Sequence, residues 1–392
     1  MNRLTQDSTY VLNTYKRLPV IVKKAKGSFV YDDQGRKYLD MYAGIAVNSV
    51  GHLHPKVRHA IQAQLKKHMH LSNYFVSDSQ NELAMKLVEY SFASKVFFTN
   101  SGTEAIEASF KLARKYGKSI QDDKIEVIAL SESFHGRTMG GLSLTGQPKY
   151  QEAFQPLIPG VQHVERNSVE SLREKVTDKT CAIFIEIIQG ESGIHELSEA
   201  FLSEIIRLKQ QYQFLVIVDE VQTGLMRTGK MFAYQHTALI PDVIALAKSL
   251  GGGLPLGAML VSKALEHVLL PGDHGSTFGG NPVSCAAGLA TFSILSSSGF
   301  QNHVISKSNT LFKGLMEIKQ DFPIIKTIRG KGMMIGIEIE SGAEEIKKRA
   351  LQAGLLINVT NQNVIRLLPP LTINMHEIQF FLKTFRQILN QN

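Results

Sequence analysis

Between about residue 51 and residue 275 the chain alternates short apolar runs with longer amphipathic stretches. KVFFTN, EVIAL, CAIFIEII, FLVIVDE, DVIALA and GAMLVS are short and almost continuously apolar, which reads as strands buried on both faces. Helical segments between such strands imply an α/β fold with a mainly parallel sheet. Ahead of this region, FVYDDQGRKYLD over 29–40 puts β-favouring residues on both sides of Asp32-Asp33-Gln34-Gly35, the pattern of a hairpin. After it, Asn281-Pro282 opens a long apolar helix through CAAGLATFSIL. Strand-like MMIGIEI and VIRLL follow. Near the end Ile378, Phe381, Leu382, Phe385, Ile388 and Leu389 recur at helical spacing. The expected division has residues 1–50 as an N-terminal segment joining a small domain, 51–280 as a large domain, and 281–392 as a connecting helix plus the rest of a smaller α+β domain.

Composition narrows the class. A chain of 392 residues, 43% hydrophobic, can bury a large core and usually forms two domains. Lys and Arg outnumber Asp and Glu by 43 to 35, for a net charge of +8. The basic residues are scattered, with only short runs such as Lys23-Lys24-Ala25-Lys26, so anionic cofactors and substrates explain the excess better than nucleic acid does. Two cysteines, Cys181 and Cys285, sit in apolar segments without a CxxC pattern and read as buried free thiols. The start MNRLTQDSTYVLNTYKRLP lacks the apolar core of a signal peptide, and nowhere do 18 uncharged apolar residues run together. The expectation is a soluble cytoplasmic protein with no membrane partner.

Three places carry candidate chemistry. In FFTNSGTEAIEASFKLARKYG a strand meets a small-residue turn at a helix start, with Ile106, Phe110 and Ala113 on one helix face. Such a turn gathers free N–H groups and suits phosphate, although a plain serine or threonine cap has the same look. In FLVIVDEVQTG a buried strand ends in Asp219-Glu220, followed by Gln222, at the rim where parallel sheets bind ligands. Metal binding or capping are the ordinary alternatives there. In DVIALAKSLGGG, Lys248 lies between an apolar run and three glycines; it is either a snorkelling lysine or one held for chemistry.

A phosphate cup, a buried aspartate and a lysine at strand ends are together the parts that hold pyridoxal 5'-phosphate. The lysine amine condenses with the cofactor aldehyde, and a carboxylate keeps the ring nitrogen protonated. Gly251-Gly252-Gly253 then give the lysine loop room. His52 and His54 in GHLHP read as a structural turn, because no HExxH and no clear third ligand accompany them. Met333 and Met334 read as core. His135 has the look of a base, a task Lys248 already fits.

The ordered motifs AGIAVNSVGHLHP, NSGTEA, SFHGRTMGGLSLTGQPKY, EIIQGESG, VDEVQTGLMRTG, AKSLGGGLPLGAM, HGSTFGGNP and VIRLLPPLTI span almost the whole chain. In them the sequence resembles the class III, ornithine-aminotransferase-like subgroup of fold type I pyridoxal-phosphate enzymes. The resemblance implies a large domain with a mainly parallel sheet plus a smaller α+β domain. It implies that Lys248 carries the cofactor and that Asp219 pairs with its ring nitrogen. Gly102 and Thr103 would hold the phosphate with Ser101 close by, Phe134 would stack on the ring, and Gln222 would meet the phenolic oxygen. Thr277 would reach the phosphate of a neighbouring subunit, giving a homodimer with shared sites. Ser276 and Arg137 would contact substrate, Arg137 by gripping a carboxylate with paired hydrogen bonds, unless it is a surface ion-pair residue. Glu186 and Arg366 match a pair that masks or exposes the arginine for two different substrates; Ile187 stands where many relatives have proline.

The implied reaction moves the terminal amino group of a donor such as N2-acetylornithine to 2-oxoglutarate. Ornithine aminotransferases carry a tyrosine near the donor α-amino group, whereas this chain has Ala43-Gly44-Ile45 in that region, which favours a blocked α-nitrogen. Succinylornithine, free ornithine and 4-aminobutyrate are alternative donors. A pyridoxal-phosphate decarboxylase or aminomutase, or a basic nucleic-acid-binding protein, are readings of other classes.

Overall fold

The computed structural model describes residues 3–391; Met1, Asn2 and Asn392, at the two ends of the expected division, lie outside the described residues. At its centre is a seven-stranded sheet built from β1 (Lys95–Thr99), β2 (Glu126–Leu130), β3 (Val161–Val164), β4 (Thr180–Ile185), β5 (Leu215–Asp219), β6 (Val243–Leu246) and β7 (Gly257–Val261). The spatial order is β1-β7-β6-β5-β4-β2-β3. Pairs among β2 to β6 are parallel, and only β7 runs against its neighbours β6 and β1. Strands β4 to β7 are buried at every position, which is why their apolar runs are continuous instead of alternating.

Two details depart from the sequence expectation. β3 has no counterpart among the expected strands: VQHV is half polar because it closes the edge of the sheet, so its pattern is weak. CAIFIEII is one apolar run, yet β4 stops at Ile185. The Glu186 carboxylate takes hydrogen bonds from the Phe134 and Gly190 amides, and a separate short strand, Ile188–Gln189, pairs with His195–Glu196.

Helix α1 (Gly102–Ile120) follows β1 directly. Ser101 Oγ accepts from the Glu104 amide at 3.3 Å and Glu104 Oε2 accepts from the Asn100 amide at 2.7 Å, a reciprocal cap. Its buried face includes Ile106, Phe110 and Ala113, against the sheet. Helix α2 (Pro282–Leu295) starts as expected, with Asn281 Oδ1 accepting from the Val283 and Ser284 amides. α3 (Phe300–Asp321) and α4 (Met375–Leu389) pack the C-terminal sheet of Ile325–Lys331, Met334–Ile339, Asn358–Thr360 and Val364–Leu367. On α4 the residues expected to face inward are buried except Leu382, which is half-buried over Gly314.

The hairpin at 29–40 forms, with Phe29–Asp32 antiparallel to Lys37–Asp40 and Asp32 Oδ1 accepting from the Gln34 and Arg36 amides across the turn. Lys37–Asp40 also pairs in parallel with Leu355–Leu356, so the N-terminal strands belong to the same small sheet as a C-terminal one. His54 caps helix Pro55–Leu65 and His52 bonds Asp40, both structural roles. Met333 and Met334 are core. Among the described residues no single helix is long and apolar enough to cross a membrane.

Candidate active site

Asp219 ends β5, and Ala245 on β6 is its register partner; Lys248 opens a short 3₁₀ turn two residues beyond the end of β6. Because the two strands are parallel, both side chains stand at the same rim. There they line a cavity of about 450 Å³ together with Asn100, Ser101, Gly102 and Thr103 from the start of α1, Phe134 to Arg137, Glu186, Glu191 and Gln222. Of the expected residues, this cavity brings together Lys248, Asp219, Ser101, Gly102, Thr103, Phe134, Gln222, Arg137 and Glu186. Lys248 has φ +46, a left-handed conformation that is costly for a residue with a Cβ and is found where surrounding structure forces it.

Electrostatics at the inner wall follow from burial. Lys248 is pushed below the usual lysine range by desolvation, against the opposing pull of Glu191 and Asp219. Asp219 Oδ1 accepts from the Val221 amide at 3.0 Å and Oδ2 lies 2.9 Å from His135 Nδ1. Burial opposes a charge on His135, but the hydrogen bond to Asp219 and the charges of Asp219 and Glu186 outweigh it and raise its pKa. His135 thus backs the carboxylate, a positioning role that replaces the base considered for it. The FHGR motif put it near Phe134; only the packing of the Phe134 loop under β5 put it behind Asp219.

The pairing expected between Glu186 and Arg366 is not made. Arg366 Nη1 lies 2.6 Å from Glu191 Oε1 and also donates to Gln222 Oε1 and the Gly190 carbonyl at 3.2 Å; its Nε and Nη2 bond Asn358. Glu186 instead accepts from the amides of Phe134 at 3.1 Å and Gly190 at 3.4 Å, and burial raises its pKa to about 7. The chain turns sharply after Glu186, so of the two glutamates in EIIQGES it is the second that faces the arginine. Burial raises the Glu191 carboxyl, but Arg366 and Lys248 overcome this and hold it below the usual range. Arg366 itself is buried and meets the cavity only through Glu191 and Gln222.

Arg137 is exposed, with its guanidinium 4.1 Å from the Tyr150 ring centre and 5.4 Å from that of Phe134. No acidic side chain pairs with it among the described residues. Ala43, Gly44 and Ile45 do not line the cavity; Val47 does, and no tyrosine does. Ser276 and Thr277 line a different cavity, beside Tyr74 and Phe97. Ser276 is tied back to the first site through its Oγ, which accepts from Asn100 Nδ2 at 3.1 Å. Of the three glycines after Lys248 only Gly253 lines the cavity. Gly252, at φ +58, is needed because a Cβ there would lie 2.2 Å from Thr291 Oγ1.

These residues fit pyridoxal phosphate. The Gly102 and Thr103 amides have no acceptor among the described residues, and a Cβ on Gly102 would press to 2.9 Å against both Val221 methyls, so the helix start stays open as an anion cradle. The family model for Aminotransferase class-III matches residues 10–389. The chain belongs to the class III aminotransferases. Class III aminotransferases depend on pyridoxal phosphate, and this one shares the α/β fold type I architecture. It is 44% identical over 390 residues, 99% of each chain, to a relative from Caldanaerobacter subterraneus subsp. tengcongensis named acetylornithine aminotransferase. An ornithine aminotransferase from Toxoplasma gondii, described with partial occupancy of PLP at its active site, superposes with a TM-score of 0.95 at 30% identity, covering 99% of this chain and 93% of that one. The acetylornithine aminotransferase of Elizabethkingia anophelis superposes with a TM-score of 0.88 at 29% identity, covering 99% and 98%.

Proposed function

We propose that this aminotransferase moves the terminal amino group of N2-acetylornithine to 2-oxoglutarate, yielding N-acetylglutamate 5-semialdehyde and glutamate. The observation that carries the reading is the meeting of a buried lysine, a histidine-backed carboxylate and an open helix N-terminus in one cavity. Bound pyridoxal phosphate supplies an aldehyde that takes up the amino group and a ring that draws electrons from the donor carbon. The Gly102 and Thr103 amides, with Ser101 beside them, would hold its phosphate, and Phe134 and Gln222 would hold its ring. Asp219, braced by His135, would pair with the ring nitrogen. Lys248 Nζ, buried at the same cavity, would carry the proton from the donor carbon to the cofactor carbon that receives the amino group.

Arg137 grips the donor α-carboxylate. Glu191, in the place expected of Glu186, occupies Arg366 while the donor is bound and frees it for the second carboxylate of the diacid. Glu186 anchors the backbone of Phe134. Ser276 contacts substrate, and Thr277 reaches the phosphate in the partner subunit of a homodimer. The exposed apolar Tyr74 and Phe278 beside these residues support that pairing. The division at 50 and 280, and a cytoplasmic location for a chain with two buried unpaired cysteines, belong to the same reading.

Choice of donor follows from the tyrosine-free cavity. Beside Arg137, with which no acidic side chain pairs among the described residues, a free α-ammonium would meet a like charge with no carboxylate to offset it, whereas a neutral acetamide needs none. With 2-oxoglutarate saturating, kcat/KM for N2-acetylornithine is expected to exceed that for ornithine by at least about tenfold, equivalent to about 1.4 kcal/mol. Equal efficiencies, or a preference for ornithine, would move the protein to the ornithine reading. Product formed beyond one equivalent per site without 2-oxoglutarate would move it to a decarboxylase or aminomutase.

A further inference from the structure

Arg227 is fully buried, and among the described residues no carboxylate pairs with it. Its guanidinium donates to the carbonyls of Met333 at 3.1 Å and Pro369 at 2.6 Å and to Ser49 Oγ at 2.9 Å, while Nε has no partner. Burial alone pushes its pKa down to about 9. A charge kept inside without a counterion is expensive, and its position calls for a reason.

Ser49 Oγ lies 2.6 Å from Ser249 Oγ, and Ser249 Oγ lies 2.7 Å from the Ala46 carbonyl. The ends of this line are fixed, since a guanidinium only donates and a carbonyl only accepts, and the shorter contact to Ala46 sets the direction between the two serines. Ser49 therefore accepts from Arg227 and donates to Ser249, in preference to its longer 3.3 Å contact with Ala46, and Ser249 donates to Ala46. Ser49 and Ser249 are buried, and each link polarises the next.

Both segments tied by this chain are strained. Ala43, Gly44, Ile45 and Ala46 have φ of 48, 64, 63 and 62°, a left-handed turn in which one residue is glycine and another is β-branched. It delivers Val47 to the cavity wall. Ser249 follows Lys248, whose φ is also left-handed. Conformations of this kind persist only where the surroundings over-determine them.

We infer that Arg227, Ser49 and Ser249 form a positioning relay that holds the Lys248 turn and the Val47 wall in register with the C-terminal part of the chain. The Arg227 end reads the C-terminal segments through Met333 and Pro369, and the serine end fixes the two strained turns at the site. The relay acts through Lys248 and touches no reacting atom; it rests on the assignment of Lys248 as the cofactor-bearing lysine.

Ser249→Ala and Ser49→Ala each delete one hydroxyl and little volume. In the holoenzyme each is expected to lower kcat about tenfold, the scale of a small misplacement of a reacting group, with KM for both substrates within about twofold. The double variant is expected to lose no more than either single one, because one broken link opens the whole relay. In the cofactor-free protein, amide hydrogen exchange is expected to speed up over 43–50 and 247–252 and nowhere else. Arg227→Lys is expected to give the same exchange pattern; should it fail to fold, the serine variants decide alone. Unchanged kcat and exchange in the serine variants, or losses that add in the double variant, would overturn the relay. Borohydride fixing the cofactor on another lysine would instead overturn the Lys248 assignment, with the exchange pattern unaffected.

Discussion

The inner wall and the rim of the cavity are built differently. Asp219 and Lys248 stand at or just past the ends of adjacent parallel strands that are buried throughout, and both are braced: Asp219 by Val221 and His135, the Lys248 turn by Ser249. The rim is made of long side chains, one of them in an ion pair that can be exchanged and one without a charge partner among the described residues. Arg366 is held by one carboxylate and neutral groups, and Arg137 leans over two aromatic rings in the open. A rigid wall suits proton transfer, where a fraction of an ångström matters; a rim of exchangeable ion pairs suits an enzyme that must admit two dissimilar substrates in turn.

The largest effect is expected at the inner wall. Lys248→Ala should lower turnover by about 10⁴ or more, and borohydride should no longer fix the cofactor to the chain, checked by peptide mass. Mixing this chain with a Thr277→Ala chain should restore part of the activity if the site is shared between subunits; no recovery after verified exchange would count against the homodimer. Asp219→Asn should keep some cofactor yet lose roughly 10²-fold in kcat, because an amide cannot hold a ring nitrogen protonated and also leaves His135 unpaired. Normal turnover would reduce Asp219 to a structural residue.

At the rim a smaller and asymmetric effect is expected. Glu191→Gln leaves Arg366 without its counter-charge when the donor is bound, so kcat/KM for the donor should fall about tenfold while that for 2-oxoglutarate holds or improves. Equal losses on both substrates would remove the masking role, and the same asymmetry from Glu186→Gln would return it to Glu186.

Least affected should be Glu186→Gln at neutral pH, where its signature lies in pH dependence. The folded pKa of Glu186 is raised from 4.5 to about 7, so the folded state binds an extra proton between those values. Its contribution to stability is full below about 4.5 and is lost as pH rises to about 7. The glutamine variant of the cofactor-free protein should therefore show a flatter decline of Tm across that window than the parent. An identical slope would mean that Glu186 does not titrate there.

Most of the inner wall could be read from residue order. Buried strands announce themselves as continuous apolar runs, and a residue at the end of one parallel strand lies beside the end of the next whatever the loops do, so Asp219 and Lys248 were bound to share one end of the sheet. The cap at Ser101 and the helix start at Asn281-Pro282 were legible for a similar reason: they depend on neighbours three or four residues away. The rim was not legible. Whether Glu186 or Glu191 meets Arg366 depends on where the chain turns after β4, and at that turn the Phe134 and Gly190 amides donate to the Glu186 carboxylate. His135 behind Asp219, Val47 in place of 43–45 at the cavity wall, and the Arg227 relay all join residues from distant parts of the chain in irregular backbone. Periodicity carries no information about such contacts, because no helix or strand repeat relates the partners; only the packing of the finished fold brings them within hydrogen-bond distance.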